Sequence, residues 1–132
     1  MIEVLKKVLF DEVACTRLLS QARSKCSVED SRALLDRIVV SHAEICAILE
    51  ENIRALGGEA IEPKPKSAEH DIGSQPLNEC LLSVEAIQRE IIKEINVIVD
   101  LPAARRIRDT LLAVRQFHLD NAHWLAAALG QD

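Results

Sequence analysis

Aromatic side chains are almost absent from this chain: two Phe, one Trp and no Tyr in 132 residues. Strands draw heavily on Tyr, Phe, Trp and Thr, whereas the sequence is built on Leu, Ala and Ile (17, 16 and 13 copies), a mix that favours helix. Basic charge is not in excess either. The net charge is −5, and no aromatic–basic clusters exist to stack bases and contact phosphates, which argues against nucleic-acid binding. The four cysteines (Cys15, Cys26, Cys46, Cys80) show no CxxC spacing, so they form no zinc framework and read as reduced packing residues of a cytosolic protein. No apolar run approaches the ~20 residues of a membrane span. The opening Met1-Ile-Glu-Val-Leu-Lys-Lys lacks the apolar core and cleavage site of a secretory signal. The expectation is a cytoplasmic protein with no membrane partner.

What is present is a globular composition, 48% apolar and 28% charged, in a length that suits one domain over 1–132. Apolar positions recur at helical spacing in four segments. The first runs from about Ile2 to Ser24, with Leu5, Val8, Leu9, Leu19 and Ala22 on one stripe. Ser27 suits an N-cap, and a second helix runs from about Val28 to Leu56, where Gly57-Gly58 ends it. Its inward face carries Leu35, Ile38, Val39, Ile45, Cys46, Leu49, Ile53 and Leu56. Pro63, Pro65 and Gly73 forbid a continuous helix over 59–75. A third helix spans about 76–99, with Leu81, Leu82, Ile91, Ile92, Ile95 and Val99 inward. Asp100 and Pro102 mark the start of a fourth, which reaches about Leu129 and turns Ile107, Leu111, Val114, Leu125 and Ala128 inward.

Short connections join helices one to two and three to four, so each pair is expected to be an antiparallel hairpin. The 59–75 stretch can extend roughly 55 Å, and helices of this length measure roughly 36 Å, so the loop can cross the bundle. The predicted fold is an all-α four-helix bundle of two hairpins joined by one long crossover.

Polar residues interrupt the apolar faces. Glu12 falls between Leu9 and Thr16, His42 between Val39 and Ile45, Glu85 and Gln88 on the third seam, and His118 and Asn121 on the fourth. Glu12, His42, Glu85 and His118 all lie about 14–18 residues from their hairpin turns, which puts them within roughly one helical turn in height. The hairpins also read as a faint duplicate: Glu12 pairs with Glu85, and His42 in SHAEICAIL with His118 in FHLDNAHWL.

With this topology, the pattern resembles the ferritin-like superfamily, and the ALGGEA segment after the second helix is similar to that of short bacterial ferritin-like proteins of unknown function. The resemblance implies a metal layer in which Glu12 and Glu85 stand for the lone glutamates and His42 and His118 for the histidines of two Glu-x-x-His motifs. Val39 and Arg115 occupy the places where those motifs need Glu, so a full di-iron centre is not expected. Asp120-x-x-His123 has the right spacing but lies more than about 120° from the seam, facing solvent. His70 reads as an exposed loop residue.

Two buried glutamates need compensation, either from one divalent ion (Fe, Zn or Mn) or from Arg115 with one protonated histidine. The metal-free solution is favoured at this point, because Arg115 one turn from His118 would repel a cation. Gln88, Arg115 and Asn121 are then supports of the layer. The leading expectation is a non-catalytic structural or protein-interaction role with a vestigial metal layer. The alternative is a single-metal or oxidoreductase-like protein using Glu12, His42, Glu85 and His118. A histidine phosphotransfer module fits less well, since His42 lies on the core face. Heme fits poorly in a narrow core walled by Leu and Ile. Trp124, on the flank of the fourth helix, is a candidate anchor for a homodimer.

Overall fold

A computed structural model describes residues 1–59 and 76–129, with side chains described as far as residue 125. Of the crossover predicted over 59–75, residues 60–75, with His70 among them, lie outside the described residues, as does the Ala128 side chain. Four α-helices account for most of the rest: α1 (Ile2–Lys25), α2 (Glu29–Ala55), α3 (Leu77–Ile98) and α4 (Arg108–Leu129). Among the described residues there is no strand, and no helix is long and apolar enough to cross a membrane.

The helix ends follow local chemistry. α1 stops where Cys26 turns extended (φ −86°, ψ 125°). The N-cap of α2 is Val28, which makes no side-chain cap bond, so Ser27 does not play the capping role its residue type suggested. Glu29 and Asp30 in the first turn instead complement the helix dipole. α2 ends as its glycines predict. Gly57 adopts φ 88°, its N–H bonds to the Arg54 carbonyl, and the Gly58 N–H reaches back to the Ile53 carbonyl, both at 2.9 Å. Those two bonds form a Schellman motif around a left-handed residue.

The fourth helix departs from expectation at its start. Pro102–Ile107 is a 3-10 helix, and α4 begins only at Arg108. A three-residue period places Ala104 and Ile107 on one side, and both are buried. The Arg108 side chain ties this link down by donating from Nε to the Val99 carbonyl at 3.0 Å.

α1 is the central packing surface, lying against both α2 and α3, while α3 also lies against α4. Contacts between α1 and α2 run in opposite order along the two helices. Ile2 sits under Gly58, Glu12 meets His42, and Arg23 meets Asp36. The same holds for α1 with α3 (Lys7 to Glu94, Cys15 to Val84) and for α3 with α4 (Gln88 to His118, Asn96 to Arg115). The stripes expected on α1 are buried, as are Leu35, Ile38, Ile45, Leu49 and Ile53 on α2. Leu82, expected inside, is 53% exposed, and Trp124 is 55% exposed at the far end of α4. All four cysteines are free thiols, three of them buried.

Candidate metal centre

Three ionisable side chains from three helices meet in the middle of the core. Glu12 of α1, His42 of α2 and His118 of α4 each have 0% exposure. One Glu12 carboxylate reaches both rings: Oε1 lies 3.0 Å from His42 Nδ1, and Oε2 lies 2.6 Å from His118 Nε2. The ring centroids of the two histidines are 5.2 Å apart. One potential ligand atom from each of the three residues lies within 4.8 Å of the others, so the group is close enough to hold a metal ion.

α3 contributes Gln88, also fully buried, whose Oε1 accepts from His118 Nδ1 at 2.9 Å. That contact constrains the chemistry opposite. With Nδ1 donating to an amide oxygen, a neutral His118 would turn the lone pair of Nε2 onto a carboxylate oxygen at 2.6 Å. At that distance a proton must lie between them. Burial raises the cost of ionising Glu12, but the hydrogen bonds from His118 and His42 outweigh it and hold the carboxyl below its ordinary range.

The layer is incompletely satisfied. His42 Nε2, Gln88 Nε2 and Asn121 Nδ2 are all buried without a hydrogen-bond partner. Asn121 follows His118 by almost one turn and is 5% exposed. Phe117 closes the remaining side, its ring edge-on to His42 at 5.1 Å and to His118 at 5.3 Å between centroids.

Two residues expected in the layer lie elsewhere. Glu85 is turned toward the rim of α3, where it pairs with Arg89. Arg115 donates to Asn96 Oδ1 at 2.7 Å in an exposed contact and reaches neither Glu12 nor Glu85. Each sits one position from the buried residue of its helix, Val84 and Val114, so each is rotated about 100° off the seam. Among the described residues only one carboxylate enters the layer, and no arginine balances it. The donor set therefore does not fit a pair of iron ions, which would need bridging carboxylates. It does fit one ion. Asp120 and His123 are exposed, as expected.

Sequence reading missed a second ionisable group beside the first. Asp11, 7% exposed, receives Lys7 Nζ at 2.7 Å, and the same ammonium lies 3.3 Å from Glu94. The signal was available, because Asp11 is in line with Val8, Cys15, Leu18 and Ala22 at helical spacing. Burial, reinforced by the hydrogen bond and charge of Asp11, pushes Glu94 up to about 7, and Lys7 only partly opposes this. A carboxyl raised from 4.5 to about 7 binds its proton more tightly folded than unfolded. Its contribution to stability is complete below 4.5 and is lost as the pH rises through about 7. Glu94→Gln should accordingly flatten the fall in melting temperature between those pH values, with thermal melts across a pH series as the measurement. A slope identical to the parent's would remove Glu94 as its source.

Comparison of the chain with protein-family models, curated proteins and solved structures found no match, so what this centre does has to be read from the geometry of Glu12, His42, Gln88 and His118.

Proposed function

We propose that this chain is a ferritin-like four-helix bundle of two antiparallel hairpins whose activity rests on one divalent metal ion held by Glu12, His42 Nδ1 and His118 Nε2. The observation that carries the proposal is the convergence of one ligand atom from each of Glu12, His42 and His118 to within 4.8 Å of one another in the dry core, with His118 Nδ1 committed to Gln88. Metal-binding histidines commonly donate their second ring nitrogen to an oxygen in this way, which fixes the tautomer and aims the other nitrogen at the ion. One carboxylate and two imidazoles suit Zn, Fe or Mn, with Glu85 no longer among the ligands. A bound divalent ion would supply Lewis acidity and, if iron or manganese, a one-electron couple. Glu12 would offset half of its charge, Gln88 would hold His118 in place, and Phe117 would shield the rings from water.

A second reading replaces the ion with a proton. An imidazolium at His118 neutralises Glu12, leaving a purely structural layer, as the leading sequence expectation has it. The three unpartnered polar atoms weigh equally on both readings, since an ion on His42 Nδ1 and His118 Nε2 leaves them as unsatisfied as a proton does.

Calorimetric titration of chelator-treated protein with Zn(II), Mn(II) and anaerobic Fe(II) separates the two. The single-ion reading expects about one ion per chain and, as the ion displaces the His118 proton, release of about one proton measured across buffers of different ionisation enthalpy. Absence of binding by all three ions would establish the proton reading. Two irons per chain, with an oxo-to-iron absorption band after admission of air, would overturn both.

A further inference from the structure

We infer that the end of the bundle where α1 passes into α2 holds a binding site for one small uncharged molecule, with an apolar body of about six to seven carbon atoms and a single hydrogen-bonding end. The site is separate from the metal centre and does not depend on an ion being bound there. Its first ground is a recess of about 170 Å³ between α2, α3 and α4 and the turn that follows α1. Leu35, Ile38, Leu81 and Leu125 form its inner wall. They keep 3–8% exposure, whereas Leu5, Leu19, Leu49 and Ile53 elsewhere in the core have none. Ile38 lies one turn, about 6 Å along α2, before His42.

The second ground is the chemistry of the lining. No carboxylate, ammonium or guanidinium lines the recess, so a charged ligand would lose hydration there with nothing to pair with. The Cys26 thiol is turned to the Val28 carbonyl, 3.6 Å away. The remaining polar groups are Ser31 of α2 and Asn78 of α3, both exposed and therefore at the rim. An apolar body with one hydroxyl or carbonyl suits that pattern. The body lies against the leucines, and the polar end meets Ser31 or Asn78 beside water.

The third ground is size. An apolar cavity of roughly 150 Å³ stays dry and accepts a guest as large as benzene. The recess is of that order, so its occupant is a small molecule and not a long acyl chain. The mouth favours occupation as well. Val28 is 59% exposed and Trp124 is 55% exposed, and both line the recess. A guest would take part of that apolar surface out of water, together with its own. The turn from α1 to α2 and the flank of α4 thus leave an apolar recess where close packing would otherwise be expected.

Trp124 is the only tryptophan of the chain, so its fluorescence reports on the recess. The probes are straight-chain alcohols of increasing length, added to the full chain. Hexanol should shift the Trp124 emission to the blue, saturably. Each added methylene should tighten binding about four-fold. The gain should stop at about seven carbons, where the recess is full. Hexanoate, which finds no cation in the lining, should bind more weakly than hexanol by about ten-fold or more. Leu34→Phe and Leu77→Phe each add bulk at a half-buried wall position. Each should weaken hexanol by about ten-fold or more while the helical circular dichroism is unchanged. A shift that grows without saturating, or that persists undiminished in both variants, would put the alcohol on the exposed indole alone and overturn the site. Affinity that keeps rising through decanol would overturn the size limit, and hexanoate binding as tightly as hexanol would overturn the uncharged class.

Discussion

Glu12→Ala is expected to cost about 3–5 kcal/mol of folding stability, the range for removing one partner of a buried charged pair. Both histidines would lose their carboxylate acceptor at once. His118 would be left with a proton it can share only with Gln88. Urea denaturation at neutral pH, with metal removed, measures the loss. Glu85→Ala is the matched control, since its partner Arg89 is a surface residue and such pairs contribute about 0–1 kcal/mol. Equal losses in the two variants would show that the layer has no special energetic weight. The pH dependence has a definite sign. Glu12 is held below the ordinary carboxylate value of 4.5, so its contribution is present above that value and disappears as the pH falls through the lower folded one. The gap between parent and variant should therefore close in acid.

Ion binding should produce the second large effect. A ligand that binds only the folded chain stabilises it by about 2.7 kcal/mol at a free concentration of a hundred times the dissociation constant, or roughly 10 °C in melting temperature for a domain of this size. Because the ligands come from α1, α2 and α4, the shift should be lost in His42→Ala and in His118→Ala, each measured against its own metal-free melt. Glu85→Gln should keep the whole shift. If Glu85→Gln instead abolished it, the ion would have to be drawing on a carboxylate that the fold turns outward.

Much of this was legible before any coordinates. The α1 stripe, the end of α2 at Gly57 and the inward placement of Glu12, His42, Gln88, His118 and Asn121 all follow from counting at helical spacing. The misplacements share one cause. On α3 the buried series is 81, 84, 88, 91, 95 and 98, and Leu82 and Glu85 each follow a member of it by one position. Arg115 follows Val114 in the same way. One position is 100° of rotation, enough to move a side chain from the seam to its rim, and a stripe drawn broadly enough to include apolar Leu82 also sweeps in Glu85. Asp11 was missed for the opposite reason. It lies on the buried series, but its identity suggested solvent, and only the long reach of Lys7 makes that placement tolerable. The 3-10 start before α4 had no marker beyond Pro102, which is equally at home in the first turn of an α-helix.

The central layer also fixes how the helices are aligned lengthwise. Apolar seams built from Leu, Ile and Val are nearly interchangeable from one turn to the next, so a helix that slid along its axis by one turn, about 5.4 Å, would still find greasy neighbours. Here such a slide has a distinct penalty. Shifting α2 would bring Ile38 or Ile45 opposite Glu12 in place of His42, and shifting α4 would bring Val114 there in place of His118. Each misaligned packing would confront a dehydrated carboxylate with hydrocarbon. The sole native alignment is the one in which a single acid finds two bases, so the residues that make the bundle chemically capable also make it structurally unique.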